Sequence, residues 1–176
     1  MLINKPILIA KEILSKSTDV AHALDHHRRV AENCELITKT EKLQVSNDLI
    51  MIAAWWHDLE SRTGKTTLLK STLNSLNFDE NTIDQIAIII SEHSFGQQQT
   101  SDESRVLYDA DKLEWTNATR MSDVLLHDSK EVKQKYHETW IKNIFAVRET
   151  LHFEIVKKLF DNSFEETKLL VDKFVN

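Results

Sequence analysis

Only three residues in this chain, Gly64, Gly96 and Pro6, interrupt a regular backbone by their own chemistry. Glycine supplies the positive-φ corners of tight hairpins and proline the preset turns, so a chain this poor in both cannot make the many short reversals of a large sheet. Helices joined by short polar connections remain. The expected architecture is all-α, a single domain over residues 1–176 built from about seven to nine helices. At 176 residues the chain can bury a substantial core. A net charge of −6 argues against a large basic surface for polymeric nucleic acid, whereas a small anion fits if a metal and a few local cations offset its charge. Cys34 stands alone, which excludes an intrachain disulfide and a cysteine-rich zinc site. The opening apolar stretch is interrupted by Lys5, Lys11 and Glu12, unlike a signal peptide, and the longest apolar run, 49–56, is too short to span a bilayer. No membrane association and a cytoplasmic location are expected.

Along the chain, Pro6 fits the first turn of a helix reaching about Ser17. Asp19 is a candidate cap for a second helix, roughly 20–40, in which Ala23, Val30, Cys34 and Ile37 recur at helical spacing. Ser46 or Asn47 would cap a third, ending near His57-Asp58. A loop follows over 59–65, then helices near 66–77 and 80–94, the latter with Ile83, Ile86 and Ile90 on one face. Phe95-Gly96 would end it, with Gly96 past the C-cap. Helix then resumes over about 102–127 without a break. Asp128 with Glu131 reads as a capping box opening a helix to about 150, and one or two shorter helices complete the chain. Trp140, Ile144, Phe145 and Leu151 suggest packing, and a homodimer interface is one use for them.

Chemistry concentrates at His57-Asp58, which closes the apolar segment 50–56. His57 continues the face of Ile50 and Ala53, and Asp58 that of Met51 and Ala54, so both polar groups point inward. Burying a charge there without a partner would cost several kcal/mol, a cost that a metal ion removes. Asp111 is another acid on an apolar face, with Leu107 and Trp115 four residues to either side. The second helix offers His22, His26 and His27, and periodicity alone leans towards His27 as the more buried. Two imidazoles and two carboxylates make a mixed nitrogen and oxygen set, suited to manganese, iron, cobalt, nickel, zinc or magnesium. Such an ion acidifies a bound water and polarises a phosphoryl group.

Taken in order, these segments resemble the HD-domain metal-dependent phosphohydrolases, whose motif is H…HD…D on a helical fold. His26-His27-Arg28-Arg29-Val30 matches H-x-x-R-V and selects His26 over His27. Residues 53–58 match A-x-x-x-H-D, and Asp109-Ala110-Asp111-Lys112-Leu113 matches D-A-D-[RK]-L, with the second Asp as ligand. Glu92-His93-Ser94-Phe95 is similar to the H-S segment of small stand-alone bacterial members. The resemblance covers about residues 20–115. It implies a divalent metal on His26, His57, Asp58 and Asp111, and hydrolysis of a phosphate ester or anhydride of a small compound, with nucleotides the commonest class. Two departures stand out: Glu114-Trp115-Thr116-Asn117 replaces a small, glycine-rich continuation, and Ala23 replaces an acid. No G-Y-P element follows, and the chain is short for the large dNTP triphosphohydrolases. A non-catalytic HD module, binding metal or a nucleotide as a signal, is the alternative.

Within that frame Asp58 and His93 are the candidate catalytic groups. His93 extends the Ile83, Ile86, Ile90 stripe and is either a bonded core histidine or a proton-transfer group beside the substrate. Arg29 is either an ion-pair partner or a phosphate clamp. Lys65, after His57-Asp58, is either solvated or a phosphate ligand. Arg29, His93 and Lys65 are thus the candidate substrate-binding residues. Glu60 and Glu92 are weaker candidates for orienting water. Thr63-Gly64-Lys65-Thr66 imitates the end of a P-loop, but Leu59 stands where that motif needs its first glycine.

Overall fold

The computed structural model describes residues 4–17, 23–60, 65–127 and 130–175. Among them are nine α-helices and no strand: α1 Asn4–Leu14, α2 Leu24–Thr40, α3 Asn47–Trp56, α4 Thr67–Ser75, α5 Glu80–Ser91, α6 Asp102–Leu113, α7 Ala118–His127, α8 Lys130–Thr150 and α9 Glu154–Val175. A 3-10 turn, Glu114–Thr116, joins α6 to α7.

Helix α3 is apolar on every side. Ile50, Ile52, Ala53, Ala54, Trp55 and Trp56 are all buried. A helix with no polar face must be surrounded. Accordingly α1, α2, α5 and α6 all pack on it. Its neighbours each turn one apolar stripe inward: Val30, Ala31, Cys34 and Ile37 from α2, and Ile83, Ile86 and Ile90 from α5. Trp56 anchors α1, donating its indole N–H to the Pro6 carbonyl at 3.1 Å. Helix α9 packs on α7, α8 and α6 and on the 3-10 turn, closing the second half of the bundle.

Several boundaries differ from the sequence reading. Helix α2 begins at Leu24 rather than near 20, and Asp19 lies outside the described residues, as does Asp128 at the proposed capping box. Helix α5 is capped at its N-terminus by Asp79, which accepts from the Thr82 N–H, and ends at Ser91, so Gly96 is not its C-terminal glycine. Gly96 instead takes φ +91° within a separate turn closed by the Gln97 N–H on the Ser94 carbonyl. The single helix expected over 102–127 is two helices. Asn117, in extended conformation, opens α7 by accepting from the Arg120 N–H at 2.9 Å. Meanwhile Thr167 and Ser163 of α9 bond the carbonyl and hydroxyl of Thr116 and hold the break open. The closing element is one helix of 22 residues rather than short pieces. Of the residues expected to pack, Trp140, Ile144 and Leu151 are buried, but Phe145 is 65% exposed, resting its ring on Phe164.

Candidate metal centre and its cavity

Three helices, α2, α3 and α6, bring the predicted ligands to one point. His26 comes from the first turn of α2, His57 caps the C-terminus of α3, Asp58 follows it, and Asp111 lies in the last turn of α6. One ligand atom from each of the four lies within 4.8 Å of all the others. The Nε2 atoms of His26 and His57 are 3.2 Å apart. Asp111 Oδ1 is 3.4 Å from the first and 3.7 Å from the second. Asp58 Oδ2 is 4.0 and 3.6 Å from the same two atoms.

The rings are aimed by their other nitrogens. His57 Nδ1 donates to the Ala54 carbonyl at 2.9 Å, one turn back on its own helix. His26 Nδ1 donates to Glu114 Oε2 at 3.4 Å, and Arg29 Nε donates to the same oxygen at 2.8 Å. His26 and Arg29 are three residues apart, on one face of α2, which is why both reach Glu114. With each Nδ1 committed as a donor, each Nε2 faces the centre, where a metal ion would take its lone pair. Two imidazole nitrogens and two carboxylates in that arrangement are the donor set of a divalent cation. The site fits the metal that the motif implies.

Charges are held in keeping with this. Burial alone would raise the Asp58 carboxyl, but the facing His57 and the hydrogen bond with His93 hold it below the usual carboxylate range. Burial acts the same way on Asp111, and Lys112, His26 and His57 outweigh it. For Glu114, burial is overcome by His26 and Arg29. All three are acceptors at neutral pH.

His93 stands two residues beyond α5 and is buried. Its Nδ1 donates to the Ile90 carbonyl, and its Nε2 lies 3.2 Å from Asp58 Oδ1, whereas Asp58 Oδ2 is the oxygen 3.6 Å from His57 Nε2. The Asp58 side chain thus links the four-residue cluster to His93. Beside them is a cavity of about 280 Å³ lined by Asp58, Asp111, His93, Lys112, Arg120 and Trp115, among others.

The other sequence candidates fall elsewhere. Arg29 is bound to Glu114 and does not line the cavity, the ion-pair alternative of its two readings. Lys65 is exposed and is not among the cavity residues. His22 lies outside the described residues. Glu60 caps α4, accepting from the Leu69 N–H, and Glu92 holds the following loop through Thr100. His27 is as buried as His26. Its Nδ1 shares the Ala54 carbonyl with His57, and its Nε2 has no hydrogen-bond partner. Burial, followed by the nearby His57 and His26, pushes its pKa well down, so the ring is neutral. Glu114, Arg120 and Trp115 were not selected from sequence. Glu114 carried a signal, being an acid three residues after Asp111 on the same helical face.

No protein-family model matches the sequence, and no curated protein matches it either. Solved structures, by contrast, are similar over nearly the whole chain. A protein from Lactobacillus plantarum shares 22% identity with a TM-score of 0.80, over 98% of this chain and 94% of that one. A predicted HD superfamily hydrolase from an uncultured Thermotogales bacterium shares 22% identity, with a TM-score of 0.66 over 98% and 90%. Bacillus subtilis YpgQ, solved in complex with ADP, shares 18% identity, with a TM-score of 0.68 over 96% and 94%. The chain therefore shares the all-helical fold of these solved structures, among them one described as a predicted HD superfamily hydrolase. On it this chain carries a His/Asp cluster able to hold a metal ion. Among the described residues, no helix is long and apolar enough to cross a membrane.

Proposed function

We propose that this protein is a metal-dependent phosphohydrolase that cleaves an ester or anhydride bond of a small phosphorylated compound, a nucleotide. The observation that carries this reading is the buried cluster of His26, His57, Asp58 and Asp111, coupled through Asp58 to His93 at a cavity. A divalent ion on those four residues would acidify water and polarise a phosphoryl oxygen. The chain's own residues manage protons and position. Asp58 takes part in the cluster with one oxygen and faces His93 with the other, so a proton released by an attacking water has an acceptor beside it. His93 has Nδ1 committed to Ile90, which leaves Nε2 as the nitrogen that exchanges a proton. When that nitrogen is protonated it can give the proton to the departing oxygen as the bond to phosphorus breaks. Glu114 and Arg29 fix the ring of His26 and do not touch the reacting atoms. A nucleotide is supported by the aromatic lining of the cavity and by the ADP complex of YpgQ.

The test is a panel of nucleoside mono-, di- and triphosphates with manganese, magnesium, cobalt and nickel, scored for released phosphate or pyrophosphate. Metal-dependent turnover of at least one member is expected. A fully metal-loaded protein inert towards all of them would refute the proposal and favour a binding module.

A further inference from the structure

Each carboxylate of the cluster turns one oxygen towards the histidines and has the other engaged outside it. Asp58 Oδ2 is 3.6 Å from His57 Nε2, while Oδ1 lies 3.2 Å from His93 Nε2. Asp111 Oδ1 is 3.4 Å from His26 Nε2, while Oδ2 accepts from Lys112 Nζ at 2.5 Å. The second arrangement is the stronger restraint, because the lysine nitrogen donates to the carboxylate as an ammonium. Freeing Asp111 Oδ2 would mean parting an ion pair whose side chains are only 6% and 8% exposed, where charges are costly to leave alone.

Lys112 is itself fixed. It stands one turn after Tyr108 on α6, and its Nζ lies over the Tyr108 ring, 5.2 Å from the centroid, within the range of a cation–π contact. Tyr108 is buried, and its hydroxyl is 2.6 Å from Thr150 Oγ1, which donates to the Val147 carbonyl. The lysine nitrogen is therefore set by α6 and the end of α8 together. A well-packed apolar side chain would fill the same space without the cost of burying an ammonium. What it would not do is hold Asp111 Oδ2.

We propose that Lys112 is a positioning residue that restricts Asp111 to one ligating oxygen, and that this restriction makes the site take a first-row transition ion such as manganese in preference to calcium. The four residues then offer two imidazole nitrogens and two single carboxylate oxygens. Calcium takes roughly six to eight oxygens and gains from carboxylates that bind through both atoms. Imidazole nitrogen suits the first-row ions instead. Lys112 acts through Asp111 alone. The inference rests on the metal centre of the reading above and not on hydrolysis.

The experiment is calorimetric titration of the full chain, stripped of metal, with manganese and with calcium, in wild type, Lys112→Met and Lys112→Arg. Removing the ammonium favours either divalent cation alike, so the reading is the ratio of the two affinities. Wild type should bind manganese the more tightly. Lys112→Met should move the ratio towards calcium by about tenfold or more, the usual scale for losing a group behind a metal ligand. Lys112→Arg keeps a charged donor for Oδ2 and should keep the ratio of wild type. Should Lys112→Met fail to fold, infrared difference spectra of wild type on manganese addition decide the point. The splitting of the carboxylate stretches separates binding through one oxygen from binding through two; only the former is expected, and the latter would overturn the proposal. A ratio unmoved in Lys112→Met would overturn it too, whatever happens to the melting temperature, as would an equal shift in Lys112→Arg or a wild type that prefers calcium. Wild type that binds neither ion removes the metal centre and this proposal with it. Ratios as described in a protein that turns nothing over leave this proposal standing and remove hydrolysis. Turnover with an unmoved ratio does the reverse.

Discussion

Glu114→Gln is the change that most directly tests how the centre is held. Glu114 is 1% exposed, and a single oxygen accepts from Arg29 at 2.8 Å and from His26 at 3.4 Å. Glutamine keeps the shape but offers one oxygen and one amide nitrogen. Arg29 is nearer and always charged, so the amide oxygen should stay with it. The amide N–H group then faces His26 Nδ1, where two donors meet. The ring relieves this by moving its proton to Nε2, which aims an N–H at the metal position in place of a lone pair. Losing such a carboxylate behind a metal-binding histidine typically lowers affinity by about 10- to 100-fold, or roughly 1.4 to 2.8 kcal/mol. Stability should fall by much less than on removing the side chain, because Arg29 keeps a partner. Manganese affinity would be measured against a competing chelator, alongside melting temperature on the metal-free protein. An affinity within twofold of wild type would show that Glu114 does not orient His26.

Three further outcomes follow from the same geometry. Asp58→Ala should lose most bound metal while circular dichroism stays helical; stoichiometric metal of unchanged affinity would remove Asp58 from the ligand set. His93→Ala should lower turnover by roughly 10²-fold, the usual scale for a positioned acid or base, with near-normal metal content, whereas wild-type kinetics with a lower melting temperature would make it a packing residue. His26→Ala should abolish metal binding, while His27→Asn should retain it and change the pH dependence of stability. Because burial holds the His27 pKa below its unfolded value, the folded state takes up that proton reluctantly. Its contribution to stability is complete above the ordinary histidine pKa of about 6.5 and is lost as pH falls below it. The drop in melting temperature between neutral and mildly acid pH should therefore be smaller in His27→Asn; an unchanged drop would refute the assignment.

The helices were legible because their signals are local. Few glycines and prolines, and stripes such as Ile83, Ile86 and Ile90, need no knowledge of the rest of the chain. The four-residue cluster was legible for a related reason: polar groups that continue apolar faces, as His57, Asp58 and Asp111 do, must be satisfied somewhere inside. Choosing between His26 and His27 was harder, since both are buried and only their hydrogen bonds differ. Periodicity leaned towards His27, and the motif pointed to His26, the one whose ring joins the cluster. Arg29 had two readings, because the deciding partner, Glu114, is 85 positions away. The break between α6 and α7 was missed for a similar reason. The apolar pattern runs through it, and it is held by Thr167 and Ser163 from the last helix, a tertiary constraint that outweighs local preference.

That same seam divides the surroundings of the cavity along the chain. All four residues of the His/Asp cluster precede Trp115, whereas Arg120 and Trp140 at the cavity come after it, and Thr116 is seated by α9. A fragment ending at Trp115 would contain the full ligand set but only part of the chamber beside it. Changes in the last third can therefore reshape the chamber while the four-residue cluster stays as it is.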